Sequence, residues 1–382
     1  MRALKAVLLL LVVVIPLSVA VSWRDQAVTR GEALVRDLAA AKARVIPRVP
    51  APKAPLHDNG FKCLAGMLDV TPADLSPFYG RGMDVLNDFV DGTRPVSELS
   101  PEVSARLKAL SPWATSVRSC GESASLGFVE GLAPGTAPQQ LRWDRLTVAT
   151  PALIEFTALE LRVLLADQQP EVALERCAAT WATVADQSHL GLLGATFARM
   201  AVRRLAPACG AALAAAAPDV RVQAGKQWMP LKNRLATAAE ILEFERLNTS
   251  LLVFAWVAPE AQRAQLPPVT ALGSTDLRNR LRVLHMWVDW DAAMRKLVAA
   301  GPEERASASA AVDASLGELK LSAQYAPFLA SYEETGLVLD LLTDLASGGE
   351  HPLPTGVTKN EKQLEYVNAQ GERLVIPLAQ PQ

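Results

Sequence analysis

The sequence predicts an all-α protein, an irregular and solenoid-like array of antiparallel helices closed by a small C-terminal β-hairpin. Three observations lead there. Apolar residues recur at helical spacing along almost the whole chain. Proline and glycine fall where helices would start and stop. Only the tail, after Gly348-Gly349, carries two short strand-like runs about a turn. No fixed repeat period and no tetratricopeptide consensus aligns, so an irregular array is expected rather than a true repeat protein.

The elements follow in order. Arg2 and Lys5 precede an uncharged run, Ala6 to Ser22, that is 17 residues long. This is the lower limit for crossing a bilayer and long for the apolar part of a signal peptide. Pro16, expected to break the helix, and the small residues of Ser18-Val19-Ala20 favour cleavage. Trp23 at an interfacial position, and a helical pattern that continues to Arg44, favour retention. The expectation is an uncleaved anchor over residues 1–22, with release after Ala20 as the alternative. Residues 23–55 read as a charged helical stalk and a spacer punctuated by Pro47, Pro50, Pro52 and Pro55. The helical body is expected over 56–348 and a tail with the hairpin over 349–382.

Within the body, Ser100-Pro101-Glu102 is a helix start: a capping hydroxyl, a proline in the first turn and an acid against the dipole. A helical stretch from Gln139 to Gln168 has Pro151 as a kink or break. Pro170 restarts a helix to about Ser188, and another covers Leu192 to Ala217. Pro218-Asp219 opens the next, interrupted at Pro230, before a long helix from Leu231 to Val257. Residues 258–275 read as a loop. Thr275 to Ala300, Pro302 to Gln324 and Pro327 to Leu345 supply three more helices, and Gln363–Val367 with Glu372–Ile376 form the hairpin. A lone hairpin is barely stable, so it must dock on the helices or on a partner.

Charge divides the chain. Residues 1–55 hold nine Lys/Arg against three Asp/Glu, whereas the remainder holds 29 against 37. The acidic remainder argues against a nucleic-acid partner, which requires a basic face. The basic stalk beside an apolar run suits anionic lipid headgroups. Arg2 and Lys5 on one side of the run and Arg24, Arg30 and Arg36 on the other leave the positive-inside rule nearly tied. Export is expected because the short basic start and apolar run together resemble a secretory signal. The body would then lie on the extracytoplasmic side of a single-pass chain.

Four cysteines, Cys63, Cys120, Cys177 and Cys209, permit three pairings in an exported chain. Residues equidistant from a hairpin turn lie side by side. The midpoint of Cys177 and Cys209 falls in Gly191-Leu192-Leu193-Gly194, and that of Cys63 and Cys120 in Asp91-Gly92. Sequential pairing, 63–120 and 177–209, is therefore expected.

No catalytic, cofactor-binding or metal-ligating set stands out. Gly121-Glu122-Ser123-Ala124-Ser125 lacks both the final glycine and the preceding strand of a nucleophile elbow. His285, Asp289 and Asp291 share a helix but offer too few ligands for a metal. Glu240, Glu243 and Glu245 with Arg246 read as a solvated helix edge, and His57, His189 and His351 have no legible partner. Trp287 and Trp290, three positions apart on the helix from Thr275 to Ala300, are nominated to face a partner, with core packing as the alternative.

The run Ala6 to Ser22, the segments Ala152-Leu153-Ile154-Glu155 through Leu174-Glu175-Arg176, and Glu240 to Arg246 carry a resemblance. The chain resembles a loose group of uncharacterised bacterial envelope proteins with an N-terminal anchor, an Ala/Leu-rich helical body and a small β tail. Members often end in a pseudopilin-like segment with a Tyr-Pro turn. This chain has Leu364-Glu365-Tyr366-Val367-Asn368 and no such turn. The resemblance implies no activity and no site residues. The functional expectation is a structural or protein-interaction module of the envelope. An envelope hydrolase with a site assembled from distant helices, or a periplasmic module for an apolar ligand, is the alternative.

Overall fold

The computed structural model describes residues 2–47, 54–67, 74–80, 82–127, 143–257, 277–315, 325–348, 353–360, 363–368 and 371–378. Residues 1–13, 65, 143–144, 252, 254–257 and 277–281 have no described side chains. The architecture is all-α with a small C-terminal antiparallel sheet. In order, the helices are α1 (Arg2–Ala43), α2 (Gly60–Met67), α3 (Gly82–Val90), α4 (Pro101–Ser119), α5 (Trp143–Ala166), α6 (Pro170–Gln187), α7 (Gly191–Ala215), α8 (Pro218–Trp228), α9 (Leu231–Arg234), α10 (Ala238–Val257), α11 (Leu277–Ala299), α12 (Arg305–Ser315) and α13 (Tyr325–Ser347). The strands are β1 (Val45–Pro47), β2 (Ser125–Gly127), β3 (Val357–Lys359), β4 (Gln363–Val367) and β5 (Arg373–Pro377).

The chain forms two compact units. The smaller unit takes α1, α10 from Leu242 onward, α11 and α12; the larger takes the remaining elements. In the larger unit α7 is the central helix, packed by α5, α6, α13 and β5. Its sequence explains this. Ala195, Ala198, Ala201, Ala206, Ala208 and Ala212 are all fully buried, and short side chains let neighbouring helices approach from several directions. Gly210 takes this furthest: a Cβ there would lie 2.4 Å from Ile376 Cγ2 of β5. The tight turn between α6 and α7 depends on Gly194, where a Cβ would lie 1.9 Å from the Gln187 carbonyl oxygen.

Helix boundaries follow local chemistry. Ser100 Oγ accepts the Val103 N–H at the start of α4, with Pro101 in the first turn, as the sequence predicts. Gln168, at φ 57°, ends α5 in the left-handed region. Pro16 does not break α1, which corrects that expectation, and at Pro151, read as a kink or a break, α5 runs on without a break. Beside Pro16, the Ser18 hydroxyl donates to the Val14 and Ile15 carbonyls at 2.8 and 2.9 Å.

The helix expected from Leu231 to Val257 is instead two, α9 and α10. A capping box restarts the chain at Thr237. The Glu240 carboxylate accepts the Thr237 N–H at 2.8 Å while the Thr237 hydroxyl accepts the Glu240 N–H at 3.2 Å. The break between them is held from outside. Ser188 Oγ accepts the Ala236 N–H, the Tyr332 hydroxyl donates to the Ala236 carbonyl, and Arg234 donates to Asp186 and to the Gly121 carbonyl.

The tail hairpin is present and gains a third strand that the sequence reading missed. β3, β4 and β5 pair antiparallel in that order, with Glu365 opposite Val375 and Val357 opposite Tyr366. Leu364, Leu374 and Ile376 are buried, and β5 lies on α7, so the hairpin docks on the helices. The start of the expected spacer is also structured: Val45–Pro47 pair with Ser125–Gly127. The loop expected over 258–275 lies outside the described residues.

The cysteines pair as Cys63–Cys120 and Cys177–Cys209, with Cα separations of 5.4 and 6.0 Å. The pairing is the expected one, but for the second bridge the symmetry argument is imprecise. The α6–α7 turn is Ser188–Leu190, earlier than the midpoint, so Cys209 stands further from it than Cys177 does.

Candidate functional site

A cavity of about 310 Å³, with charged residues in its wall, opens in the larger unit, between α7, α13 and the β4–β5 hairpin. Each element supplies part of its wall. From α7 come Arg199, Val202 and Arg203; from α13, Ser331 and Glu334; from the hairpin, Tyr366, Asn368, Glu372, Arg373 and Leu374. Helical spacing puts Arg199 and Arg203 on one face of α7, and the docked hairpin brings its own polar residues against them.

Three of the charges in this wall are already engaged. Glu372 pairs with Arg203 and accepts from Asn368 Nδ2 at 2.8 Å, and these hydrogen bonds hold its carboxyl below the usual range. Arg373 is paired with Glu365 at 2.6 Å. Arg199 differs. Its Nε has no hydrogen-bond partner among the described residues, and its guanidinium carbon stands 5.2 Å from the Phe328 ring centroid. Burial, reinforced by the charge of Arg203, pulls its pKa below the ordinary arginine value. On the α13 side, burial pushes the Glu334 carboxyl up although Asn368 and Tyr366 hydrogen-bond to it. Burial, followed by the charge of Glu334, pushes the Tyr366 phenol up to about 12. The cavity wall therefore presents a guanidinium and a carboxyl that both lose water on burial. Its lining includes no histidine to activate the Ser331 hydroxyl.

The smaller unit holds a second concentration of charge, and it is closed. Arg246, 1% exposed, donates Nε and Nη2 to Glu243 at 2.8 and 2.7 Å. It also donates Nη1 to Asp291 at 2.8 Å and Nη2 to Asp37 at 3.0 Å. Arg295 bridges the same two aspartates, with Nε 2.9 Å from Asp291 and Nη2 2.8 Å from Asp37. Burial alone would lower the Arg246 pKa, but the bonds from Glu243 and Asp291 outweigh it and raise it. Arg246 is thus the centre of a clamp that ties α1 to α10 and α11, which corrects its reading as part of a solvated edge. Of the neighbouring acids, Glu243 joins the clamp and Glu240 caps α10.

The other sequence candidates resolve as follows. Asp291 is buried in the clamp, whereas His285 and Asp289 are exposed, so that helix does not gather the three together. Trp287 and Trp290 are buried, at 5% and 4% exposure, and Trp287 Nε1 donates to Ser250 Oγ at 3.0 Å. They are packing residues of α11 in this structure rather than an open face. Ser123 is buried with its hydroxyl donating to the Cys120 carbonyl, and Ser125 Oγ donates to the Asp58 carbonyl, so both hydroxyls are held by backbone. His189 is buried, with Nε2 3.0 Å from the Arg234 carbonyl oxygen, and His351 lies outside the described residues. His57 was read as having no partner, yet its ring lies within 4.8 Å of the Cys63 and Cys120 sulfurs. Because those sulfurs are bonded to each other, neither is a thiolate ligand and the imidazole alone makes no metal site.

No protein-family model, curated protein or solved structure matches the chain.

Proposed function

We propose that this chain is a membrane-tethered envelope protein whose body acts outside the cytoplasmic membrane as a structural or interaction module. The observation that carries the reading is the surface of α1. Val14, Ile15, Leu17, Val19 and Val21 are each between 41% and 62% exposed. At about 100° per residue these positions spread over roughly 200° of the helix surface, wider than the stripe a helix docked on one neighbour needs, and a lipid surrounding suits such a face. Further along the same helix the pattern changes: Ala27, Leu34 and Leu38 are buried and Asp37 enters the Arg246 clamp. Among the described residues no helix is long and apolar enough to cross a membrane. The side chains of Ala6 to Val13, the first half of the apolar run, are outside that description. Two disulfides and no free cysteine among the described residues agree with an oxidising compartment.

The hydrolase alternative gains no support from the cavity, which has carboxylates but no nucleophile–base pair in its lining. The apolar-ligand alternative gains no specific support, because the apolar part of that wall is interrupted by Arg199, Arg203, Glu334 and Glu372. Cell fractionation tests the proposal. The full-length chain is expected in the membrane fraction, resisting carbonate extraction and retaining the residues before Val21. A soluble form beginning at Val21 would show that the segment is a cleaved signal.

A further inference from the structure

The charge arrangement of the cavity selects a ligand class. Arg199 and Glu334 each feel the other's charge, yet no ion pair joins them, whereas Arg203–Glu372 and Arg373–Glu365 are in contact. One cation and one acid thus face the same 310 Å³ space from different helices without neutralising each other directly. A plain anion would meet Arg199 but oppose Glu334 and Glu372. A plain cation would meet Glu334 but oppose Arg199 and Arg203. A metal ion would gain little from a wall that carries three guanidinium groups. A molecule bearing both charges satisfies both sides, and the remaining lining suits its body: Val202 and Leu374 offer apolar contact, while Ser331 and Tyr366 offer hydroxyls.

We propose that this cavity binds a small zwitterion, an amino acid or dipeptide, with its carboxylate on Arg199 and its ammonium group on Glu334. Arg199 suits the first role because its planar fork of donors matches a carboxylate. Glu334 suits the second because Asn368 fixes one of its oxygens at 3.3 Å, which orients the carboxyl before a ligand arrives. The volume accommodates a dipeptide and leaves a single amino acid loosely held. The proposal does not depend on the membrane reading, since it uses only residues of the larger unit.

The test is equilibrium dialysis of the full chain in detergent micelles against radiolabelled L-alanyl-L-alanine and L-alanine. Acetate and methylammonium serve as competitors. Saturable binding of one equivalent is expected, with a Kd of about 1 mM or tighter for the dipeptide, the range open to a ligand of about ten non-hydrogen atoms. Arg199→Gln and Glu334→Gln should each weaken it by about tenfold or more, the loss expected for one charge-assisted contact. Both competitors should displace the dipeptide, each losing its effect in the variant that removes its site. Circular dichroism and melting of both variants serve as controls, and Arg199→Lys is the second variant at that position. It is expected to bind more weakly than the parent and more tightly than Arg199→Gln. Absence of saturable binding for both probes overturns the proposal, as does unchanged binding in Arg199→Gln. Binding that responds to acetate and Arg199 but not to Glu334→Gln reduces the site to one for simple anions and overturns it equally.

Discussion

Arg246 in the smaller unit and Arg199 in the larger begin from the same physics and end in opposite states. For both, loss of water on burial is the leading influence and acts against the charge. Arg246 meets Glu243, Asp291 and Asp37, with every nitrogen of its guanidinium engaged. Arg199 meets an aromatic ring and a neighbouring arginine and feels Glu372 and Glu334 only at a distance, with no carboxylate in contact. The difference teaches that burial does not assign a role to an arginine; the count of carboxylates within reach does. A saturated guanidinium fixes helices, and an unsaturated one beside an open space keeps its donors for something else.

The largest effect should come from breaking the saturated case. Arg246→Met leaves the buried Asp291 with Arg295 alone and removes the partner of the partly exposed Glu243, and is expected to cost about 3 kcal/mol in urea unfolding followed by tryptophan fluorescence. A loss below about 1 kcal/mol would mean that the cluster is solvated, and the contrast with Arg199 would fall. Next is Gly210→Ala, in which the new methyl group collides with Ile376 and lifts β5 from α7. A cost of about 1–3 kcal/mol is expected, and dipeptide uptake should fall with it because the hairpin is one wall of the cavity. Unchanged melting would show that β5 is free to shift. Arg199→Met should be close to neutral, within about 0.5 kcal/mol of the parent, because it removes a charge that has lost water without gaining a carboxylate contact. A clear drop in melting temperature would place Arg199 among the structural arginines.

The smallest effect is in the pH dependence of the two cavity acids, and its signs are opposite. The folded pKa of Glu334 is raised, first by burial, so its contribution to stability is complete below the unfolded value. That contribution is lost as pH rises through the folded one. The folded pKa of Glu372 is lowered, first by its bond from Asn368, so its contribution is present above the unfolded value and is lost on acidification. Glu334→Gln should therefore flatten the decline in melting temperature on going from acid toward neutral pH, and Glu372→Gln should flatten the decline on acidification. The same slope in both variants would show that the two acids share one environment.

Much of the fold was legible because its signals are local. Ser100-Pro101, Pro170 and Pro218 mark true helix starts, and the alternation around Asn368 marks a true hairpin. The capping box Thr237-Ala238-Ala239-Glu240 was equally legible, but Leu231 to Val257 reads smoothly through it. Pro16 misled because a proline costs a helix one hydrogen bond and a bend, and a long helix withstands both. The site was hardly legible at all. Arg199 and Glu334 are 135 positions apart and meet only because α13 and the hairpin return to α7. Arg246 looked solvated for the same reason: its partners Asp37 and Asp291 come from distant segments. The one readable trace was spacing, Arg199 to Arg203 on the same face of an otherwise alanine-rich helix.

The unbroken course of α1 sets a distance as well as a connection. Between Val21, the last exposed residue of the apolar run, and Asp37 in the clamp, the axis advances roughly 24 Å at about 1.5 Å per residue. The Debye length at physiological ionic strength is about 8 Å. With the apolar end seated in lipid, the Asp37–Arg246 clamp lies about three screening lengths along the helix from the end of that segment. Changes in the charge of the bilayer surface would have decayed almost completely over that span. The tether would hold this unit at the membrane while insulating its ionisation from the lipids beneath.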